Sequence, residues 1–170
     1  MIRRIMMCVF VCSCTLYGQH QTDKGSCSIA GRISFTNINI EDASMTVFEF
    51  TPQLSLFMRD GFESGLSVAA QTTSLANSPS QSSIGIGPFV NWYLTDNDIK
   101  PFIGASYLYT SASSGGPHYR IHMYAGNAGV SIPVNQHVAL QPTVQFMYYK
   151  NPASRSVFQT MIGISLKAFI

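Results

Sequence analysis

Apolar and polar side chains alternate along most of this chain with a period of two, the signature of β-strands with one apolar and one polar face. The clearest stretch runs from Ser83 to Leu94. Ile84, Ile86, Pro88, Val90, Trp92 and Leu94 share one face there, and Ser83, Gly85, Gly87, Phe89, Asn91 and Tyr93 share the other. From Val138 to Tyr148, Val138, Leu140, Pro142, Val144, Phe146 and Tyr148 are set against Ala139, Gln141, Thr143, Gln145 and Met147. The chain ends on a third such stretch, with Phe158, Ile162, Ile164, Leu166, Ala168 and Ile170 opposed to Gln159, Met161, Gly163, Ser165, Lys167 and Phe169. Shorter runs begin at Ile29, Phe48, Leu66, Ile103 and Tyr119, which brings the predicted total to eight strands.

Two irregularities accompany the pattern. After Tyr119, Ile121, Met123 and Ala125 the apolar parity passes to Ala128, Val130 and Ile132, which predicts a bulge near Gly126-Asn127. Pro88 and Pro142 each remove a ladder hydrogen bond from a strand interior, so these two positions count against the register read here or mark further bulges.

Connections alternate in length. Tight turns are expected at Arg59-Asp60-Gly61, Asp96-Asn97-Asp98 and Pro133-Val134-Asn135-Gln136, and longer polar loops at Asn37 to Ser44, Gln71 to Ser82, Ser111 to His118 and Asn151 to Arg155. An even strand number, with short turns at one end and long loops at the other, is the layout of an outer-membrane barrel with both termini in the periplasm. The expected fold is therefore all-β: an eight-stranded antiparallel up-and-down transmembrane β-barrel.

The N-terminus fits export. Arg3 and Arg4 precede an uncharged apolar run from Ile5 to Tyr17, which is shorter than the roughly 20 residues a spanning helix needs. Cleavage after Gly18 is expected, giving a signal peptide over 1–18, a short periplasmic segment over 19–27 and a barrel over 28–170. Lipidation at Cys14 is the competing reading, but Val11-Cys12-Ser13-Cys14 lacks the usual leucine three residues before the cysteine.

Composition then removes several classes. The 170 residues include ten Lys and Arg against eight Asp and Glu, and loss of Arg3 and Arg4 leaves eight of each, so no basic excess points to nucleic acid. Cys27 is the cysteine remaining after cleavage, which predicts a lone thiol, and no Cys/His spacing suits structural zinc. His20, His118 and His137 are scattered, and Gly85-x-Gly87 lacks a third glycine, so neither a metal nor a cofactor is expected.

Aromatic residues should mark the two membrane interfaces. Tyr109, Tyr119, Tyr148 and Phe158 lie beside the long loops, and Trp92 and Phe57 near the short turns. If the polar face points inward, Arg32 stands opposite Glu49 and near Lys167, which predicts a structural ion-pair cluster in the lumen. An eight-stranded lumen has room for side chains and little more, so no open pore is expected.

These features resemble a family: the small eight-stranded outer-membrane barrels of Bacteroidetes, described as porin-like or outer-membrane β-barrel domain proteins. The resemblance spans nearly the whole chain after the signal. It rests on Ile84-Gly-Ile-Gly-Pro-Phe-Val-Asn-Trp-Tyr-Leu94, on Phe102-Ile-Gly-Ala-Ser-Tyr107 and on the C-terminal strand. It implies contact with outer-membrane lipid and, during biogenesis, with periplasmic chaperones and the barrel-insertion machinery. One departure stands out, because such barrels commonly end on an aromatic residue and here Phe169 is penultimate.

Two other classes compete. A lipocalin-like periplasmic carrier also has about eight strands, but its outside would carry Lys and Glu along every strand, which is not the pattern here. A lipid-modifying outer-membrane enzyme needs an activated serine. His122-Met-Tyr-Ala faintly matches a deacylase His-x-Ser-Asn pattern, yet position 124 is Tyr, so His122 is expected to be a polar lumen residue and no enzymatic activity is predicted. Any partner beyond lipid would meet the outward loops, and the sequence does not name it.

Overall fold

The computed structural model describes residues 21–40, 43–75, 80–113, 119–150 and 157–170. The expected signal peptide, the alternative lipidation site at Cys14 and the tips of the long loops lie outside the described residues. The strands are β1 (Cys27–Ile40), β2 (Ala43–Arg59), β3 (Phe62–Leu75), β4 (Gln81–Tyr93), β5 (Lys100–Ser113), β6 (Tyr119–Asn135), β7 (Val138–Lys150) and β8 (Val157–Phe169). Each pairs antiparallel with its sequence neighbours, and β1 pairs with β8, from Ser28↔Phe169 to Phe35↔Ile162, to close the barrel. Ile170 N–H donates to Cys27 C=O at 2.9 Å and extends that seam to the last residue.

Strands of 13 to 17 residues exceed the roughly 9–11 that cross a bilayer, so they project beyond any apolar belt. This corrects the expected loop from Asn37 to Ser44. Asn37↔Thr46, Ile38↔Met45, Asn39↔Ser44 and Ile40↔Ala43 all pair, because polar Asn and Thr can stay in a ladder once the chain has left the apolar layer. At the opposite end, β2 turns into β3 through Asp60-Gly61, where Gly61 holds φ at +68°, a value L side chains rarely adopt.

The predicted bulges are absent from the expected places. Along β6 the pairing with β5 is continuous from Lys100↔Ser131 to Ala112↔Tyr119, and the register with β7 shifts instead between Pro133 and Asn135. Parity does not switch at Gly126-Asn127; what changes is the chemistry of the lumen, as described below. Pro88 and Pro142 also keep their registers. In an antiparallel ladder a residue's N–H and C=O address the same neighbouring strand, so proline forfeits bonds on one side alone. Pro88 pairs with Leu66, and the β4–β5 ladder is interrupted between Ile86 and Phe89; Pro142 pairs with Ile164, and the β6–β7 ladder is interrupted between Gly129 and Ile132.

The barrel is apolar on its outside. Ile33, Phe50, Leu66, Ile84, Ile86, Ile103, Phe146, Ile162, Ile164 and Leu166 all point outward and exposed, while Arg32, Glu49, Glu63, Gln141, Gln145 and Lys167 are buried within. Such an apolar circumference is far larger than the few-hundred-Å² patches of a soluble monomer. Cys27, at the start of β1, is buried.

Candidate functional site

The interior is layered along the barrel axis. Nearest the short turns, Glu63 at the start of β3 and Lys167 near the end of β8 meet at 2.5 Å, and both side chains are fully buried. Their partners arise on other strands. Ser28 Oγ donates to Glu63 Oε1 at 3.0 Å, Ser55 Oγ donates to the same oxygen, and Asn91 Nδ2 donates to Oε2 at 3.0 Å. Tyr93 Oη donates to Glu63 Oε2 at 3.2 Å and receives hydrogen bonds from Lys167 Nζ at 2.9 Å and Gln141 Nε2 at 3.0 Å. Phe57, Tyr93, Phe102, Ala139 and Phe169 form an apolar collar around these groups. Lys167 Nζ sits over the rings of Tyr93, Phe57 and Phe169 at 5.5, 5.8 and 5.8 Å, within cation–π range.

Further along the axis, Arg32 Nη2 donates to Glu49 Oε1 at 3.1 Å, and Thr51 Oγ1 donates to the same oxygen at 2.8 Å. Arg32 Nε and Glu49 Oε2 have no hydrogen-bond partner. Arg32 also lines a polar cavity of about 20 Å³ with Gln53, Asn91, Asn127, Gln141 and Ser165, space for a group the size of one water. Beyond Glu49, towards the loops, the lumen becomes apolar: Val47, Ala69, Leu108, Met123, Ala125, Met147 and Met161 pack together, with Tyr149 against them. Met123 and Ala125 therefore point inward and Ala128 outward on one uninterrupted strand.

Of the three predicted lumen residues, Arg32 and Glu49 contact each other, but Lys167 joins Glu63, which the sequence reading missed. Glu63 shares the parity of Gly65, Ser67 and Ala69, and that signal would have placed it inside. Phe57 is likewise in the lumen rather than at the outer rim.

The outward face carries most of the predicted aromatic residues. Trp92, 51% exposed, lies near the turn end. Tyr109, Tyr148 and Phe158 point outward at the loop end, with the rings of Tyr148 and Phe158 6.5 Å apart. Tyr119 opens β6 opposite Ala112, and its side chain lies outside the described residues. Tyr124 was not expected here and stands exposed between Tyr107 and Tyr148. His122 shares its parity, so it too is outside the barrel, a correction to the expected lumen position. Its Nδ1 is hydrogen-bonded to Tyr107 Oη at 2.8 Å, and its ring meets that of Tyr109 edge-on at 5.6 Å. Among the described residues no cluster of His, Cys, Asp and Glu suits a metal.

No protein-family model matches this chain, and no curated protein matches it. Solved structures share its fold. Neisserial surface protein A superposes with a TM-score of 0.67 at 16% identity, over 85% of this chain and 99% of that one. The N-terminal β-barrel domain of OprF from Pseudomonas aeruginosa gives 0.61 at 10% identity, over 86% and 98%. The outer membrane protein OprG of the same organism gives 0.58 at 14% identity, over 88% and 99%. At these identities the likeness defines the architecture, a small closed eight-stranded antiparallel barrel of the kind found in outer-membrane proteins.

Proposed function

We propose that the protein is an integral outer-membrane barrel without enzymatic activity, with a structural or surface-interaction role exercised through its loop end. One observation carries this reading: large apolar side chains cover the outside while the strand carboxylates are inside, the inverse of a soluble carrier. The solved barrels of the same architecture support it, since OprG is an outer membrane protein and another is a surface protein. Export by a signal peptide cleaved after Gly18, delivery by periplasmic chaperones and insertion by the barrel machinery complete the proposal, as does affiliation with the Bacteroidetes-type barrels. The buried Glu63–Lys167 network and the apolar layer around Met147 support a lumen closed to diffusing solutes.

Cell fractionation tests this, with electrophoresis of the outer-membrane fraction before and after boiling. Protein in that fraction that migrates faster unboiled than boiled, with an N-terminus near Gln19, is the expected result. Protein in the soluble periplasm with no migration shift would overturn it.

A further inference from the structure

The outward face of β5, β6 and β7 is ordered in rows towards the loop end. Phe146 pairs with Gly126, and Gly126 with Ala105, so this first row is apolar or small. The next row is entirely tyrosine: Tyr148, Tyr124 and Tyr107. One row further out stand Lys150, His122 and Tyr109, and beyond them Arg120 opposite Ser111. Side chains directly opposite in such a ladder lie about 4.5–5.5 Å apart at Cβ, and a two-residue step along a strand is about 7 Å. Lys150, His122 and Arg120 therefore fall within the span of one headgroup.

Among the described residues no carboxylate compensates their charge. Arg120 and Lys150 are exposed. Among the described residues every carboxylate is elsewhere: Glu49 and Glu63 are buried in the lumen, and Asp23, Asp60, Asp96 and Asp98 precede β1 or lie in the short turns at the far end. His122 is held in place by Tyr107 and Tyr109. Tyrosines at an interface row, with cations just above, match the depth profile of a lipid whose phosphate sits over its acyl chains.

We infer that Arg120, His122 and Lys150, standing over the Tyr107–Tyr124–Tyr148 row, form a binding site on the barrel wall for the phosphate of a lipid headgroup in the loop-side leaflet. Arg120 supplies a guanidinium fork suited to two phosphate oxygens, and Lys150 a mobile point charge. The tyrosine rings pack on the first carbons of the acyl chains. The inference rests on the reading of the chain as a membrane barrel with its loops outward.

The test is native mass spectrometry of the full mature chain, refolded in neutral detergent and titrated with bisphosphorylated lipid A or with the same lipid stripped of its phosphates. Migration before and after boiling is checked in every sample. Retention of the phosphorylated lipid is expected, with binding weakened roughly 30-fold in the double variant Arg120→Gln/Lys150→Gln, from the usual worth of two surface cations near anionic lipid. The turn-end variant Arg59→Gln should bind as the parent does. Equal retention of the stripped lipid, an undiminished double variant, or displacement of the lipid by millimolar inorganic phosphate would each overturn the site while leaving the barrel reading intact. A parent chain with no migration shift would instead overturn the reading beneath it.

Discussion

Lys167 Nζ on β8 lies 2.5 Å from Glu63 Oε1 on β3, a contact that joins residues 104 positions apart across the inside of the barrel. Neither strand is the other's neighbour in the sheet, so the pair is a strut across the lumen rather than a cross-strand pair. Glu63 accepts from Ser28, Ser55, Asn91 and Tyr93 as well, so the carboxylate is the hub on which β1, β2, β4 and β8 converge.

Removing one member of such a pair leaves a charge buried without its counter-ion. Lys167→Met should lower folding stability by about 3–5 kcal/mol, measured as the urea midpoint in phospholipid vesicles, and Glu63→Gln added to it should restore much of the loss. A single variant as stable as the parent would show that the strut contributes little.

The apolar outer belt, facing lipid as proposed, predicts a dependence on depth. Val144 lies midway along the outward face of β7, opposite Ile162, and Thr160 lies nearer the loops, opposite Phe146. Val144→Arg should cost about 2–4 kcal/mol in vesicles, and Thr160→Arg, one row nearer the interface, less than that. Equal costs at both positions would contradict a membrane whose centre lies near Val144.

Much of this arrangement is legible in the residues and some is not. Alternation located all eight strands, because one face is apolar along its whole length and a one-residue slip would turn every side chain to the other face. The same logic fails where both faces are apolar. In β6, Met123 and Ala125 fill the apolar layer of the lumen while Tyr124 and His122 face outward, so reading the apolar residues as the lipid side inverted the first half of the strand. Phe57 misleads in the same way, since an aromatic next to a turn suits an interfacial girdle or a lumen collar equally well. The partner of Lys167 was hidden for another reason: the pairing is through space, between strands that never touch in the ladder.

Side chains and backbone of the two neighbouring strands, β4 and β6, predict a steric limit at Gly104. A Cβ there would meet Val90 O at 2.6 Å and Asn127 Oδ1 at 2.8 Å, inside the space where Asn127 Nδ2 donates to Asn91 Oδ1 at 3.1 Å. Gly104→Val should therefore destabilise the barrel by about 1–3 kcal/mol, read from the same urea transition. Gly126→Val is the matched control, because nothing lies within 4 Å of a Cβ at that position and little change is expected.

The most direct test of the central claim, that the apolar outside of this barrel faces lipid, uses the single tryptophan of the chain, Trp92, which points outward near the turn end. The protein is folded into vesicles whose phospholipids carry bromine at defined depths along the acyl chain, and Trp92 fluorescence is recorded. Strong quenching is expected, greatest for bromines near the headgroup and weaker for those at the bilayer centre. Fluorescence indifferent to brominated lipid, in protein that keeps its folded migration on gels, would contradict the account.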